Sequence, residues 1–380
     1  IGQAVSRRGA ALGPATAVGL LLMLGGLWLG QQFPVTGFSK TTWIYLLLGY
    51  SFIASSLPVW VLLQPRDYLN SFLLYLGIGL MYLGLFVLRP AVVAPAVNRV
   101  ATDLPPLFPF LFITVACGAV SGFHSLVCSG TTSKQLDREP QARAIGYGGM
   151  LMEGGMAIIV LLACTAGTAS ATLWHAHYSG WAAAKGLGPS LGMFVDGGAR
   201  FVSQLGLSRE LATVFISVVV VGFALTTLDS ATRLLRYNIE ELGRRLRVAP
   251  MTNRYVASLL AIVAIGYFAL MPSGKTLWQL FGTSNQLLAG LALLAITTYL
   301  FQQRRPTWWY AGPMLFMFAT TITAMALKLL EFARTQQIQL FAVSLVVLLL
   351  ALWLVAEAVL GYLTSHRTRP RTLSVRRSAR

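Results

Sequence analysis

Charge is what this sequence has least of. Only 11% of its 380 residues are Asp, Glu, Lys or Arg, and acids are scarcer than bases, 12 against 29. A soluble domain carries about a quarter charged residues, so that class is excluded. Cysteine and histidine are few as well. Cys117, Cys128 and Cys164 are odd in number, lie in or beside apolar runs and match no metal spacing, so neither a disulfide framework nor a zinc site follows. Of the four histidines only His124 sits within an apolar run, which leaves a bis-histidine haem carrier without its second ligand. His175 and His177 form an HxH pair with no third ligand, the pattern of an ordinary surface pair. No catalytic constellation or cofactor site emerges. The chain begins at Ile1 without a signal-peptide pattern, and a preceding segment is expected.

What is there is hydrophobic: 56% of the residues, grouped in runs. An all-α polytopic membrane protein is the expected class. Runs of about 20 apolar residues cross a bilayer, and ten are expected here, near 12–30, 42–63, 69–88, 107–127, 144–165, 210–228, 254–271, 277–300, 312–330 and 339–363. Ten crossings divide the chain into a transmembrane domain over 1–365 and a basic tail over 366–380. They also place most lysines and arginines on the side of both termini: Arg7, Arg8, Arg66, Lys134, Arg138, Arg143, the arginines between 233 and 254, Arg304, Arg305 and those of the tail. Lys40, Arg89, Arg99, Lys185, Arg200, Arg209, Lys275, Lys328 and Arg334 fall opposite. Positive residues mark the cytoplasmic face, so both termini are expected inside, with the net charge of +17 directed at anionic lipid rather than nucleic acid. The loop over 166–209 is long and glycine-rich, and is expected outside either as a lid or as a fixed cap.

One run does not read as an ordinary apolar helix. Between Phe112 and Leu136 it spends Gly118, Ser121, Gly122, His124, Ser125, Ser129, Gly130, Thr131 and Thr132 at membrane depth. Glycine loosens a helix and hydroxyls re-satisfy freed amides, so a broken helix lining a protein-enclosed site is expected around Gly122. Ionisable groups within spans are costly and mark function. Glu153, flanked by four glycines, is the candidate for proton coupling, the alternative being a structural hydrogen bond, in protonated form, to a neighbouring helix. A depth shared with His124 on an antiparallel neighbour is a further expectation. In the sixth run Thr226 and Ser230, four apart, share a face with Asp229, and together with Thr227 offer oxygens for a cation or a substrate group. Asp229 precedes Arg233 by four, the order of a helical ion pair, and is expected to anchor the helix end. Gly282, Thr283, Ser284, Asn285 and Gln286 interrupt the eighth run and read chiefly as helix-to-helix glue. Lys328 and Glu331 are spaced for a pair.

Four stretches, PVWVLLQPRDYL, SGFHSLVCSGTTSKQL, FALTTLDSATRL and LWQLFGTSNQLLAG, together resemble the signature blocks of the carbon starvation protein family. The resemblance implies a carrier of the bacterial inner membrane, not an enzyme, taking up pyruvate or peptides, within the amino acid, polyamine and organocation superfamily. Its LeuT-like fold has two inverted five-helix repeats, each opening on a broken helix. Mapped here, the broken segment would begin the second repeat with the fold's first two helices absent upstream. On that mapping Gly122, Phe123, His124, Ser125 and Ser129 face the substrate. Thr226, Thr227 and Ser230 supply sodium-binding hydroxyls, and the other half of that cation site comes from an absent helix. The expected function is symport of a small, pyruvate-like carboxylate with H⁺ or Na⁺. Peptide uptake and a membrane sensor that binds without transporting are the alternatives.

Overall fold

The computed structural model describes residues 11–184, 187–271 and 277–365. Arg7, Arg8, Lys185, Lys275 and the basic tail lie outside the described residues, so their expected topological roles are not addressed by it. In chain order the helices are α1 (Leu12–Gln32), α2 (Lys40–Ser56), α3 (Leu63–Leu88), α4 (Phe112–Ala119), α5 (Gly122–Gly130), α6 (Gln141–Thr165), α7 (Ala171–His177), α8 (Trp181–Ala184), α9 (Leu187–Ser203), α10 (Arg209–Leu246), α11 (Arg254–Leu270), α12 (Leu277–Gln302), α13 (Trp308–Arg334) and α14 (Ile338–Ser365). Among the described residues the extended chain contributes one isolated bridge, between Thr102 and Gly180.

Eight helical stretches among the described residues are long and apolar enough to cross a membrane, with α4 and α5 counted as one. Their outward side chains are apolar too: Leu21 and Leu22 are 68% and 72% exposed. Exposure on that scale suits lipid rather than water. This is a multi-pass membrane protein. At 17 residues each, α2 and α11 are shorter than those eight.

The chain divides into two compact units, one of residues 1–104 and 130–275, the other of 105–129 and 276–380. In the first, α3, α6, α9 and α10 enclose a core that includes Met81, Ile159, Ala163, Phe201 and Ile216. Helix α9 lies within the segment expected to fold back over 166–209, and it packs flush on α6. A Cβ at Gly197 would stand 2.0 Å from the Ala163 carbonyl oxygen, so only glycine permits that approach. Arg200 holds the junction by donating to the Thr168 carbonyl at 2.7 Å.

Helix α10 runs well past the expected 210–228. At 38 residues it is about 57 Å long, nearly twice the thickness of the hydrocarbon. Its polar half continues as helix because charges recur at one-turn spacing: Arg236 donates to Glu240 at 2.6 Å and Arg245 to Glu241 at 3.0 Å. The helix stops where Arg247 turns left-handed, with φ 57°. In the second unit α12, α13 and α14 pack around Leu287, Phe318, Met325 and Ala351, and α4 lies against α12.

Candidate functional site

The second unit contains the helix break. Helix α4 ends at Ala119, Val120 is extended (φ −140°, ψ 92°), and α5 begins at Gly122. An interruption frees amides that membrane interior leaves without water. Here the amide side chain of Asn285 on α12, 4% exposed, meets them. Its Oδ1 accepts from the Phe123 N–H at 2.7 Å and from the Ser121 hydroxyl at 3.3 Å, and its Nδ2 donates to Cys117 Sγ at 3.3 Å. Asn285 thus acts as an N-cap for α5 supplied by another helix. Gly122 makes room for it, since a Cβ there would come within 2.2 Å of the Asn285 carbonyl oxygen and 2.6 Å of the Ala289 nitrogen. Asn285 therefore holds helices together, as the polar interruption of this run suggests.

The first unit contains a second polar centre, built by α2, α3 and α10. Asp229 on α10 has a side chain only 1% exposed and pairs with Arg66 on α3. The Tyr50 hydroxyl on α2 donates to the same carboxylate oxygen at 2.8 Å, and Arg66 uses Nη1 for both Asp229 and Tyr50. One turn along α3, Asn70 donates from Nδ2 to the Thr226 hydroxyl at 3.0 Å and to the Gly222 carbonyl at 3.3 Å. Several polar atoms here are sealed from solvent and hydrogen-bond nothing among the described residues: Asp67 Oδ1, Asp229 Oδ1, and Nε and Nη2 of Arg66. Unpartnered buried groups of this kind each cost about 1–3 kcal/mol, more when charged. No group of three or more His, Cys, Asp or Glu residues among the described residues could hold a metal ion.

The profile of the carbon starvation protein CstA family matches residues 1–177 and 182–324. The chain belongs to the CstA family. It is 37% identical over 373 residues to a peptide transporter CstA of Mycobacterium tuberculosis (strain ATCC 25618 / H37Rv), covering 81% of this chain and 49% of that protein. To the peptide transporter CstA of Escherichia coli K12 it is 33% identical over 369 residues, covering 80% and 52%. The pyruvate/proton symporter BtsT of the same organism is 32% identical over 401 residues, covering 84% and 56%. The chain spans about half the length of these relatives. No solved structure matches it.

In this CstA-family chain the expected site residues fall into both units. Gly122 is buried at the break, the Phe123 amide is already bonded to Asn285, and the Ser125 hydroxyl donates to the Gly122 carbonyl at 2.6 Å. Ser129 donates to the Leu126 carbonyl at 3.2 Å, and His124 is exposed on α5. Glu153 is half-buried on α6 and makes no hydrogen bond or ion pair among the described residues. Because His124 and Glu153 belong to different units, their expected proximity stays open. Thr226 and Ser230 are half-buried, whereas Thr227 lies on the exposed side of α10.

One expectation is corrected. Asp229 does not pair with Arg233. Arg233 donates instead to the Ala54 and Leu57 carbonyls at 2.7 and 2.9 Å, covering acceptors at the end of α2. The rotation of α10 aims the acid at α3, and spacing along one helix cannot reveal that. Sequence reasoning also passed over Tyr50, Arg66, Asp67 and Asn70. For Arg66, Asp67 and Asn70 the signal was present in QPRDYLN, where an acid and an amide three residues apart open an apolar run at the spacing of Thr226 and Asp229; Tyr50 has no such local signal.

Proposed function

We propose that the complete protein is a secondary transporter of the bacterial inner membrane that imports a small, pyruvate-like carboxylate coupled to H⁺ or Na⁺. One observation carries the reading: a membrane-spanning stretch broken at Val120 and Ser121, with its freed amide capped from within by buried Asn285. Broken helices at a site are how carriers present polar backbone to a solute in a medium without water. The names of the relatives support transport and divide on the solute, peptides in two cases and pyruvate with a proton in the third. Peptide import is therefore the second reading, and it uses the same site.

In this proposal the fold is the LeuT-like inverted repeat with ten crossings in this chain and both termini cytoplasmic. Gly122, Phe123, His124, Ser125 and Ser129 face the solute. Glu153 serves a coupling proton, and Thr226, Thr227 and Ser230 serve a coupling cation. Helix α9 and its flanking loops cap the outer side. Anionic lipid is held at the inner basic segments, where Arg244 and Arg245 are 63% and 78% exposed. The test is uptake of labelled pyruvate and of a labelled dipeptide into vesicles holding the complete protein, with a pH gradient and a sodium gradient imposed separately. Gradient-driven pyruvate accumulation is expected. Accumulation of the dipeptide alone selects the second reading, and binding without flux selects a sensor.

A further inference from the structure

The oxygens of α3 and α10 do not form a closed set of internal bonds. Thr226 donates to the Gly222 carbonyl at 3.0 Å and accepts from Asn70 Nδ2, which leaves its hydroxyl oxygen one lone pair. Asp67, one turn before Asn70 on α3, presents a buried Oδ1 with no partner, and the Thr226 hydroxyl lies beside its carboxyl. Asp229, the neighbouring carboxylate, is almost wholly buried and its Oδ1 is likewise unpartnered.

The charges explain which oxygen is left over. Arg66 is bonded to Asp229, and Arg233 acts on Asp229 as well, so that acid has two cations and the Tyr50 hydroxyl. The groups acting on Asp67 are Arg66, whose bonded nitrogen goes to Asp229 and Tyr50, the like charge of Asp229, and Thr226. Helix α1, which also packs on α3, contains no ionisable residue. The only carboxylate in the centre without a bonded counter-charge is therefore Asp67, and it stands among neutral oxygens. Hard monovalent cations are held by such a set, carboxylate plus hydroxyl and amide oxygens, without His or Cys.

We propose that Asp67, Asn70 and Thr226, with Asp229 behind them, form a binding site for a sodium ion between α3 and α10. This deepens the transport reading and rests on it for the meaning of the site. It also differs from what the family resemblance implies, because here the second half of the cation site comes from α3 of this chain. Sodium supplies the directly bonded counter-charge that Asp67 lacks and partners for the oxygens left unbonded. Thr226 is shared with the cation site proposed above, and Ser230 follows it by one turn.

The test reads binding without requiring that the solute be known. The complete protein, purified in detergent, is heated in sodium chloride and in choline chloride of equal ionic strength. A ligand that binds only the folded state raises the melting temperature with the logarithm of its concentration once that exceeds the dissociation constant, so the concentration at which the rise sets in reports the affinity. A rise specific to sodium is expected, lost in Asp67→Asn and kept in Glu331→Gln, an acid outside both polar centres. Thr226→Val, which keeps the shape and removes one oxygen, is expected to raise the half-saturating sodium concentration roughly tenfold or more, the scale of a lost partner at a metal site. No sodium-specific rise in the unaltered protein overturns the proposal. So does a rise that survives Asp67→Asn, or a response to pH alone, which would give the seat to a proton. Should Asp67→Asn fail to fold, an unchanged sodium midpoint in both Thr226→Val and Asn70→Leu overturns it equally. Sodium stabilisation without pyruvate or dipeptide uptake would leave the site standing and remove the transport reading.

Discussion

The two polar centres solve opposite problems. In the second unit a neutral amide closes a break in the backbone: Asn285 meets the Phe123 N–H, the Ser121 hydroxyl and Cys117. In the first unit charged groups are brought together and left incomplete, with one acid paired, a second without an ion pair and two of the three Arg66 guanidinium nitrogens unused. A satisfied neutral network specifies a structure, whereas an unsatisfied charged one costs stability and persists where something else completes it. The comparison teaches that the centre that interrupts the helix is the better built of the two. The centre hidden in regular helices is the one poised to bind.

The largest effect is expected from the charged centre. Removing one partner of a buried pair leaves an uncompensated charge and costs about 3–5 kcal/mol. Arg66→Met should destabilise on that scale, read as loss of thermal stability of the purified protein in detergent. Adding Asp229→Leu should recover much of the loss, because two apolar side chains do not need each other. If the double variant is as unstable as the single one, the pair is a structural clamp and the contrast between the centres fails.

At the neutral centre the controlling quantity is space. Gly122→Ala places a methyl group within 2.6 Å of two backbone atoms of α12, neither of which can swing aside. Overpacking costs about 1–3 kcal/mol and more where backbone must move, so a fall in stability or in the yield of monodisperse protein is expected. An unperturbed Gly122→Ala would mean that α5 and α12 are not in close contact. Asn285→Leu follows, at about 1–3 kcal/mol, the cost of leaving a buried donor without an acceptor. Its effect should appear as faster amide exchange at Phe123 and the adjoining residues of α5, and unchanged exchange there would refute the cap.

How much of this could be read from the residues depends on range. The helix break was legible because Gly118, Ser121 and Gly122 are local, and backbone that cannot stay helical announces itself within a few positions. The gluing role of Asn285 was legible as a type, since amides in apolar runs have few alternatives. The partner of Asp229 was not legible. Arg66 lies 163 positions away, and the choice between Arg66 and Arg233 is made by how α10 is rotated against α2 and α3. The full length of α10 was not legible for a related reason: hydropathy falls at 228, but the helix continues on charge pairs such as Arg236 with Glu240. Hydropathy reports the lipid boundary, and hydrogen bonding reports the helix.

The smallest effect concerns the residue beside the cap. Gln286 adjoins Asn285 on α12 and is 0% exposed, yet neither its amide oxygen nor its nitrogen bonds to the protein. Successive residues on a helix face about 100° apart, so one amide reaches the break while the other is directed into packing. These two amides are expected to respond to apolar replacement with opposite signs. Removing Asn285 exposes partners, whereas removing Gln286 relieves a group that has none. Gln286→Met keeps the volume and discards both polar atoms, and should be neutral or raise stability by up to about 1 kcal/mol, seen as a small increase in melting temperature. A loss comparable to that of Asn285→Leu would show that Gln286 also has a partner, such as an ordered water or the solute itself. The second unit would then hold an unfinished polar centre of its own.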